Sequence, residues 1–329
     1  MLITRFGTIS SQMRDNFIPI TIDSTKISGT LSNFTVTVIL NSGNFDFTSA
    51  SSDGTDIYFK MNDIELYFER DNYDNVNKKA SFYVKLPTIS SVTDTVFGLY
   101  IGSATDKSDK INAWDTHYDL VHHMGSNLTD STNGHTFDKY GSPIVLEDGV
   151  LHNRTKFTNN TNDYYRTSMT LNFPLTFSFA HTIDSNIGYP RMIEYFNSTS
   201  AINLSYMPYY SGIGTFFCMS GIVSTHEKRN DILSTSNVGD RLVVNLTFTS
   251  TTDFQAYVNG ELRTVSTVTD SYGGATSEGV LQLSRRTSTA ATYSNTIDEF
   301  RISNIVRSAS WLMAEQHDLA NTLVTIGSV

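Results

Sequence analysis

The sequence predicts an all-β protein of two tandem β-sandwiches, with a short helix near the C-terminus of the second. Three observations predict it. The 329 residues are rich in Thr, Tyr, Phe, Ser and Asn, carry only six prolines and are 17% charged; aromatic and β-branched residues favour strands, Asn and Ser favour turns. Short runs of alternating apolar and polar residues recur along the chain. Asn259-Gly260 lies between two such runs, and Asn-Gly best tolerates the positive φ that both central residues of a type I′ hairpin turn require.

Taken in order, Phe17–Ile22 and Phe34–Leu40 are the first strand candidates, the second alternating as F-T-V-T-V-I-L. Asp53-Gly54 marks a turn. Ile57–Phe59, Ile64–Phe68, Ala80–Leu86 and Thr95–Ile101 follow, a spacing that suits a small sandwich. Gly102–Asn112 is polar and small, and divides the chain into residues 1–105 and 106–329. Strands are expected again at Thr176–Ala180, Met192–Phe196, Ile202–Tyr206, Thr215–Met219, Arg241–Thr249, Phe254–Val258, Glu261–Val265 and Val280–Leu283. In the hairpin, Phe254, Ala256, Val258, Leu262 and Val265 are inward candidates. The last strand lies within Asn295–Leu312, where Ile297, Glu299 and Arg301 share one face and Asp298, Phe300 and Ile302 the other. Ser308 or Ser310 is placed to cap a short helix carrying Trp311 and Leu312.

The net charge is −10 and the pI near 5.2. Such a surface repels phosphate backbones and anionic membranes, so neither nucleic acid nor membrane insertion is expected. One cysteine, Cys218, excludes an intrachain disulfide and reads as a buried strand residue. The N-terminus lacks the apolar core of a signal peptide, and no run approaches a membrane span. A product made and assembled in the cytoplasm is the expectation.

W-D-T-H-Y-D-L-V-H-H-M at 114–124, D-S-T-N-G at 130–134, Y-V-N-G-E-L at 257–262, L-Q-L-S-R-R at 281–286 and I-D-E-F-R-I-S-N-I-V-R-S-A-S-W-L at 297–312 follow one another in an order that resembles a laminin-G-like, concanavalin A-type jelly roll. Residues 15–105, with G-T-L-S-N-F-T-V-T-V-I-L, D-G-T-D-I-Y-F and A-S-F-Y-V-K-L-P, resemble a small β domain of unknown function that precedes such jelly rolls. This pairing occurs in bacterial surface proteins and bacteriophage virion proteins. The resemblance implies a virion structural or adhesion protein, a tail or fibre component or a capsid decoration. Its partners would be other virion proteins, further copies of itself and a host-surface glycan. It also implies one structural calcium ion held near Asp130 and Asp298, since Asp carboxylates and turn carbonyls supply the oxygens calcium needs. The alternative is a turn-capping Asp130 and a surface-paired Asp298.

Tyr195, Tyr206, Tyr209 and Tyr210, with Phe196 and the polar Arg191 and Asn197, are the glycan-contact candidates; the same rings equally suit a core or a subunit contact. His117, His122, His123 and His135 do not read as a zinc site, because adjacent histidines on a strand point to opposite faces and no Cys or HExxH helix completes one. The E-x-D-x-x-E run of related jelly-roll hydrolases is missing, and Asp298 and Glu299 fall on opposite faces, so no enzyme is expected. The seven Asn-x-Ser/Thr sequons, Asn33, Asn127 and Asn203 among them, follow from composition. A bacterial surface adhesin and, more remotely, a glycoside hydrolase are the competing readings.

Overall fold

The computed structural model describes residues 17–132, 134–158, 163–184, 192–196, 203–207, 216–222, 226–232, 237–249, 253–268, 279–286, 291–292 and 294–327. The protein is all-β; among the described residues there is one α-helix, Ala309–Leu319, near the C-terminus. No helix among the described residues is long and apolar enough to cross a membrane.

The first sandwich packs two antiparallel sheets. Five strands run in the order Val324–Ile326, Ile18–Ile22, Thr95–Ile101, Ile57–Met61 and Ile64–Glu65. Three strands oppose them: Leu31–Asn41, Lys79–Ile89 and Phe68–Asp74. Ile20, Val36, Phe59, Phe82 and Phe97 meet between the sheets and are fully buried or nearly so. The alternation F-T-V-T-V places Val36 and Val38 in this core and turns Thr35 and Thr37 to the other face, which is also buried. The three-stranded sheet is therefore covered on both sides.

The second sandwich pairs two larger sheets around Phe177, Phe179, Phe300, Tyr165, Ile193 and Leu281. One sheet is built on Leu175–Ile183, Arg241–Phe248 and Asn295–Ser303, the other on Tyr164–Met169, Ile193–Phe196, Gly279–Leu283 and their neighbours. The Asn259-Gly260 hairpin forms as expected, with φ of 52° and 79°. Ala256 and Val258 face inward, but Leu262 is 58% exposed, because it lies on a three-residue edge strand and pairs with the outward Tyr257.

Two expectations are corrected. The C-terminus does not stay with residues 106–308. Val324–Ile326 pairs with Ile18–Ile22 in the first sandwich, and Trp311, Leu312 and Leu323 join its core with Trp114. The alternation at Ile297–Ile302 is also broken. Ala180 pairs with Glu299 and His181 with Ile297, so Asp298 is the extra residue of a β-bulge. The bulge brings Ile297 into the core with Phe300 and Ile302, and leaves Asp298 to pair with Arg241 and Glu299 with His123. Ser308 caps the helix, accepting from the Trp311 amide at 3.2 Å.

Candidate functional site

The outward face of the sheet carrying Glu299 and Arg301 meets the three-stranded sheet and the C-terminal helix, and polar groups fill that junction. Glu69 projects from Phe68–Asp74 on the face opposite Phe68. Its Oε2 accepts from Trp114 Nε1 at 2.8 Å and its Oε1 from Ser131 Oγ at 2.7 Å. His123 stacks on Tyr83, ring centroids 3.9 Å apart and 11° from parallel. Its Nδ1 donates to Glu299 Oε2 at 2.9 Å, and its Nε2 lies 3.2 Å from Glu69 Oε2. Arg301 sits over the Trp114 ring and donates to Glu299 (2.9 Å), Glu315 (3.3 Å) and Asp318 (3.5 Å). Tyr118 and Ser178 hydroxyls complete Glu315, and Thr37 donates both amide and hydroxyl to Asp318. Unpaired buried charge is costly, and here each carboxylate has a cation, a hydroxyl or an amide against it.

The ionisation states follow from this arrangement. Burial opposes charge on His123, but the Glu299 and Glu69 carboxylates outweigh burial and hold its pKa well above the ordinary imidazole value. Burial likewise raises Glu69 and Glu299, and His123, helped by Trp114 and Ser131 at Glu69 and by Arg301 at Glu299, more than reverses it, leaving both below the usual carboxylate range. At Asp71 burial outweighs the attraction of His123 and pushes the carboxyl up to about 6, with the Glu69 and Glu299 charges adding to the rise and Ser81 Oγ as its hydrogen-bond donor at 3.2 Å. Asp318 rises to about 6 by burial despite Arg301.

Glu69, Asp71, His123 and Ser131, one end of this network, line a cleft of about 310 Å³ between the sandwiches. Its walls come from both: Asn72 from the first, Ser126, Asn127, Glu147 and Asn153 from the second. Wider depressions of about 620 and 560 Å³ lie elsewhere, but neither contains His123 with its carboxylates.

Ser131 Oγ lies 3.0 Å from His123 Nε2, and with Glu299 on Nδ1 the set has the connectivity of a serine–histidine–carboxylate relay. Two features disarm it. The serine hydroxyl donates to Glu69, not to the imidazole. The imidazole is held as a cation by two carboxylates and has no lone pair with which to take a proton. Ser131 is itself 3% exposed.

Tyr195 and Tyr206 lie in the core of the second sandwich, 3% and 1% exposed, so neither is a surface contact. They follow the strand alternation of Ile193–Phe196 and Asn203–Met207. Arg191, Asn197, Tyr209 and Tyr210 fall outside the described residues, as do the side chains of Phe196 and Cys218. Asp130 and Asp298, the calcium candidates, both make contacts within the protein. Both Asp130 oxygens are occupied by the Thr132 amide and hydroxyl and the His135 amide, at 2.5 to 2.6 Å. Asp298 Oδ2 is paired with Arg241 Nε at 2.5 Å. Among the described residues, no group of three or more His, Cys, Asp or Glu side chains is placed to hold a metal. His122, by contrast with His123, packs edge-on against Phe137, and burial lowers its pKa to about 4. His117 is exposed, 3.3 Å from Asn304 Oδ1, and the His135 amide serves the Asp130 turn.

Sequence reasoning did not single out Glu69, Asp71 or Asn153, and named Asn127 only as a sequon. The available signal was Glu69 and Asp71 at a period of two, matched by Glu299 and Arg301, in a chain otherwise sparing of charge.

No protein-family model matches the chain, and no curated protein matches it by sequence. Among solved structures it is similar to domain 4 of AbnA, a GH43 extracellular arabinanase from Geobacillus stearothermophilus, in complex with arabinotriose. That match has 15% identity and a TM-score of 0.46, and covers 62% of this chain and 98% of that one. It is also similar to the binding domain of Paraclostridial Mosquitocidal Protein 1, at 12% identity and TM-score 0.49, covering 61% of this chain and 52% of that one. The botulinum neurotoxin type G receptor binding domain matches at 16% and 0.47, covering 61% and 51%. The chain thus spans about half the length of the toxin domains. These likenesses concern architecture alone.

Proposed function

We propose that this chain is a non-enzymatic structural and adhesion protein whose junction cleft receives a glycan, and that it is displayed on the exterior of a bacteriophage particle among other virion proteins and copies of itself. The observation that carries the binding reading is the cleft. Asn72, Asn127 and Asn153 bring amides that both donate and accept, Ser126 brings a hydroxyl, and Glu147 and Asp71 bring acceptors able to take paired donors. Vicinal sugar hydroxyls are donors and acceptors at once and match such a wall. The disarmed His123–Ser131 pair supports binding without bond cleavage. The ordered motifs shared with phage jelly-roll proteins support the virion setting; a bacterial surface adhesin is the alternative setting for the same cleft.

A glycan array probed with the full chain, followed by calorimetry on the hits, tests the cleft. Asn127→Ala and Asn153→Ala are expected to weaken binding about tenfold or more each, with melting temperature unchanged. Absence of binding to every host polysaccharide, or unchanged affinity in both variants, overturns the glycan reading. Sugar release abolished by one acidic substitution, Glu147→Gln or Asp71→Asn, would replace it with the hydrolase. Mass spectrometry of purified particles decides the virion setting.

A further inference from the structure

A pocket of about 560 Å³ lies where three segments meet: residues 30–33 around the start of Leu31–Asn41, residues 115–117, and the turn 305–308 that leads into the helix. It shares no lining residue with the cleft. Arg307 holds Asp115 through two bonds, Nη1 to Oδ2 at 2.6 Å and Nη2 to Oδ1 at 2.8 Å, and its guanidinium lies over the rings of Trp311 and Tyr118. Lys85 lines the same pocket. Its Nζ donates to the Trp114 carbonyl at 3.2 Å and stands 5.2 Å from the Tyr67 centroid. Burial lowers the Lys85 pKa, and Asp115 and Asp109 oppose the fall. Asp115 is already held by Arg307, and Asp109 lies outside the pocket, bonded to Asn112. His117, exposed, has Nδ1 3.3 Å from Asn304 Oδ1. Lys85 and Arg307 thus line the pocket against one carboxylate, in a chain of net charge −10.

Two further features mark the wall. Trp311 is 6% exposed, and its indole Nε1–H is buried with no acceptor among the described residues. The other tryptophan, Trp114, has Glu69 for the same group. A buried indole ordinarily finds a partner, and one left without it beside a pocket points to a ligand that supplies it. Asn33 has φ of 55°, in the left-handed region, within a strand ladder. It stands between the Ser32–Thr88 and Phe34–Leu86 pairs, opposite Pro87, which has no N–H to give. Asparagine tolerates that φ better than most L-residues. It lines the pocket with Ser32 and Thr116, which add hydroxyls, and with the half-exposed Val306.

We propose that this pocket is a second ligand site, independent of the cleft, for a sugar bearing an oxyanion, a carboxylate or a phosphate. Lys85 takes the oxyanion, because Asp115 offsets Arg307 and leaves one positive charge over. The helix Ala309–Leu319 begins at this wall and adds the positive end of its dipole. The sugar hydroxyls meet the Asn33 amide and the Ser32 and Thr116 hydroxyls, and its C–H face meets Val306. After a small rotation of the indole, a ligand oxygen accepts from Trp311 Nε1. The volume suits a saccharide unit better than a bare ion.

Indole N–H NMR on the full chain tests this. The two tryptophans give two resonances, which Trp311→Phe assigns. Glucuronate and glucose-6-phosphate are the probes, with glucose and inorganic phosphate as controls. At least one probe is expected to shift the Trp311 resonance and saturate below about 10 mM, with Trp114 unmoved. The tighter of the two identifies the oxyanion. Both controls are expected to bind at least about tenfold more weakly. Lys85→Gln is expected to weaken the probes about tenfold and remove their advantage over glucose. Asn33→Gly keeps the backbone at ease with its φ and removes the amide, for a loss of about threefold. Melting temperature reports that both variants are folded. Asn127→Ala, in the cleft, leaves probe binding unchanged, so the two sites fail separately. No Trp311 shift with either probe, equal binding of glucose or of inorganic phosphate, Lys85→Gln binding like the parent, or loss of binding in Asn127→Ala overturns the proposal.

Discussion

The interior of the second sandwich and the junction between the sandwiches are both buried, and they are held together in opposite ways. Phe177, Phe179 and Phe300 meet in the interior at ring distances near 6.2 Å, without a directional bond among them. At the junction, Glu69, His123, Glu299, Arg301, Glu315 and Asp318 are joined by ion pairs and hydrogen bonds, those of His123 reaching groups far away in sequence. The apolar region is stabilised by area and volume, which many packings satisfy. The junction is satisfied only when the sandwiches and the helix sit in one relation. Removing one partner strands another charge, whereas removing a methylene leaves only a gap.

The largest effect should come from breaking the junction. Arg301→Met leaves Glu299, Glu315 and Asp318 without their shared guanidinium, and is expected to cost about 3–5 kcal/mol in urea denaturation. Adding Glu299→Met should return part of that loss, and a double-mutant cycle reads the coupling. A loss below 1 kcal/mol for Arg301→Met would show that the network does not hold the junction.

Acid separates the regions next. His181, inside the second sandwich, is lowered to about 3 by burial, with Arg241 adding to it. Its folded pKa is below its unfolded value, so its contribution is present above about 6.5 and is lost as pH falls. His123 has the opposite sign. Its pKa is raised, so its contribution is complete below about 6.5 and is lost as pH climbs through the folded value. Asp71 and Asp318, raised to about 6, likewise gain stability as pH falls below 6. His181→Gln should therefore reduce the stability lost between pH 7 and pH 5 by up to about 2 kcal/mol. His123→Gln should lower stability without reducing that loss. Denaturant midpoints at the two pH values check both.

Smaller effects sharpen the contrast. Phe300→Leu keeps most of its volume in an adaptable core and is expected to cost less than about 1.5 kcal/mol. Ser308→Ala removes the helix cap, for about 1 kcal/mol. Because that helix carries Glu315 and Asp318, the cap variant should also raise amide exchange at Thr37, whose N–H donates to Asp318 at 2.6 Å.

Much of the strand order was legible. F-Q-A-Y-V-N-G-E-L fixes its hairpin through local turn chemistry, and T-V-F-G-L-Y-I through alternation. His152–Phe157 and Tyr164–Met169 were not picked out, because H-N-R-T-K-F and Y-Y-R-T-S-M carry their polar residues without a clean period. His226–Ile232 is almost wholly polar, and only pairing with Phe216–Ile222 identifies it as a strand. The candidate site was less legible. Tyr195 and Tyr206 were singled out by ring type, but side-chain direction on a strand, not chemistry, decides exposure.

The stretch Asn295–Leu312 shows where the division falls. By itself the sequence determined a strand, then a serine-capped helix, because alternation and capping act over a few residues. Tertiary structure decided the rest. The bulge at Asp298 depends on register against Leu175–Ile183, and pairing of Glu299 with His123 depends on how the two sandwiches meet. The return of Val324–Ile326 to the first sheet is likewise a long-range choice. Those contacts join residues tens to hundreds of positions apart, and periodicity carries no information across such distances.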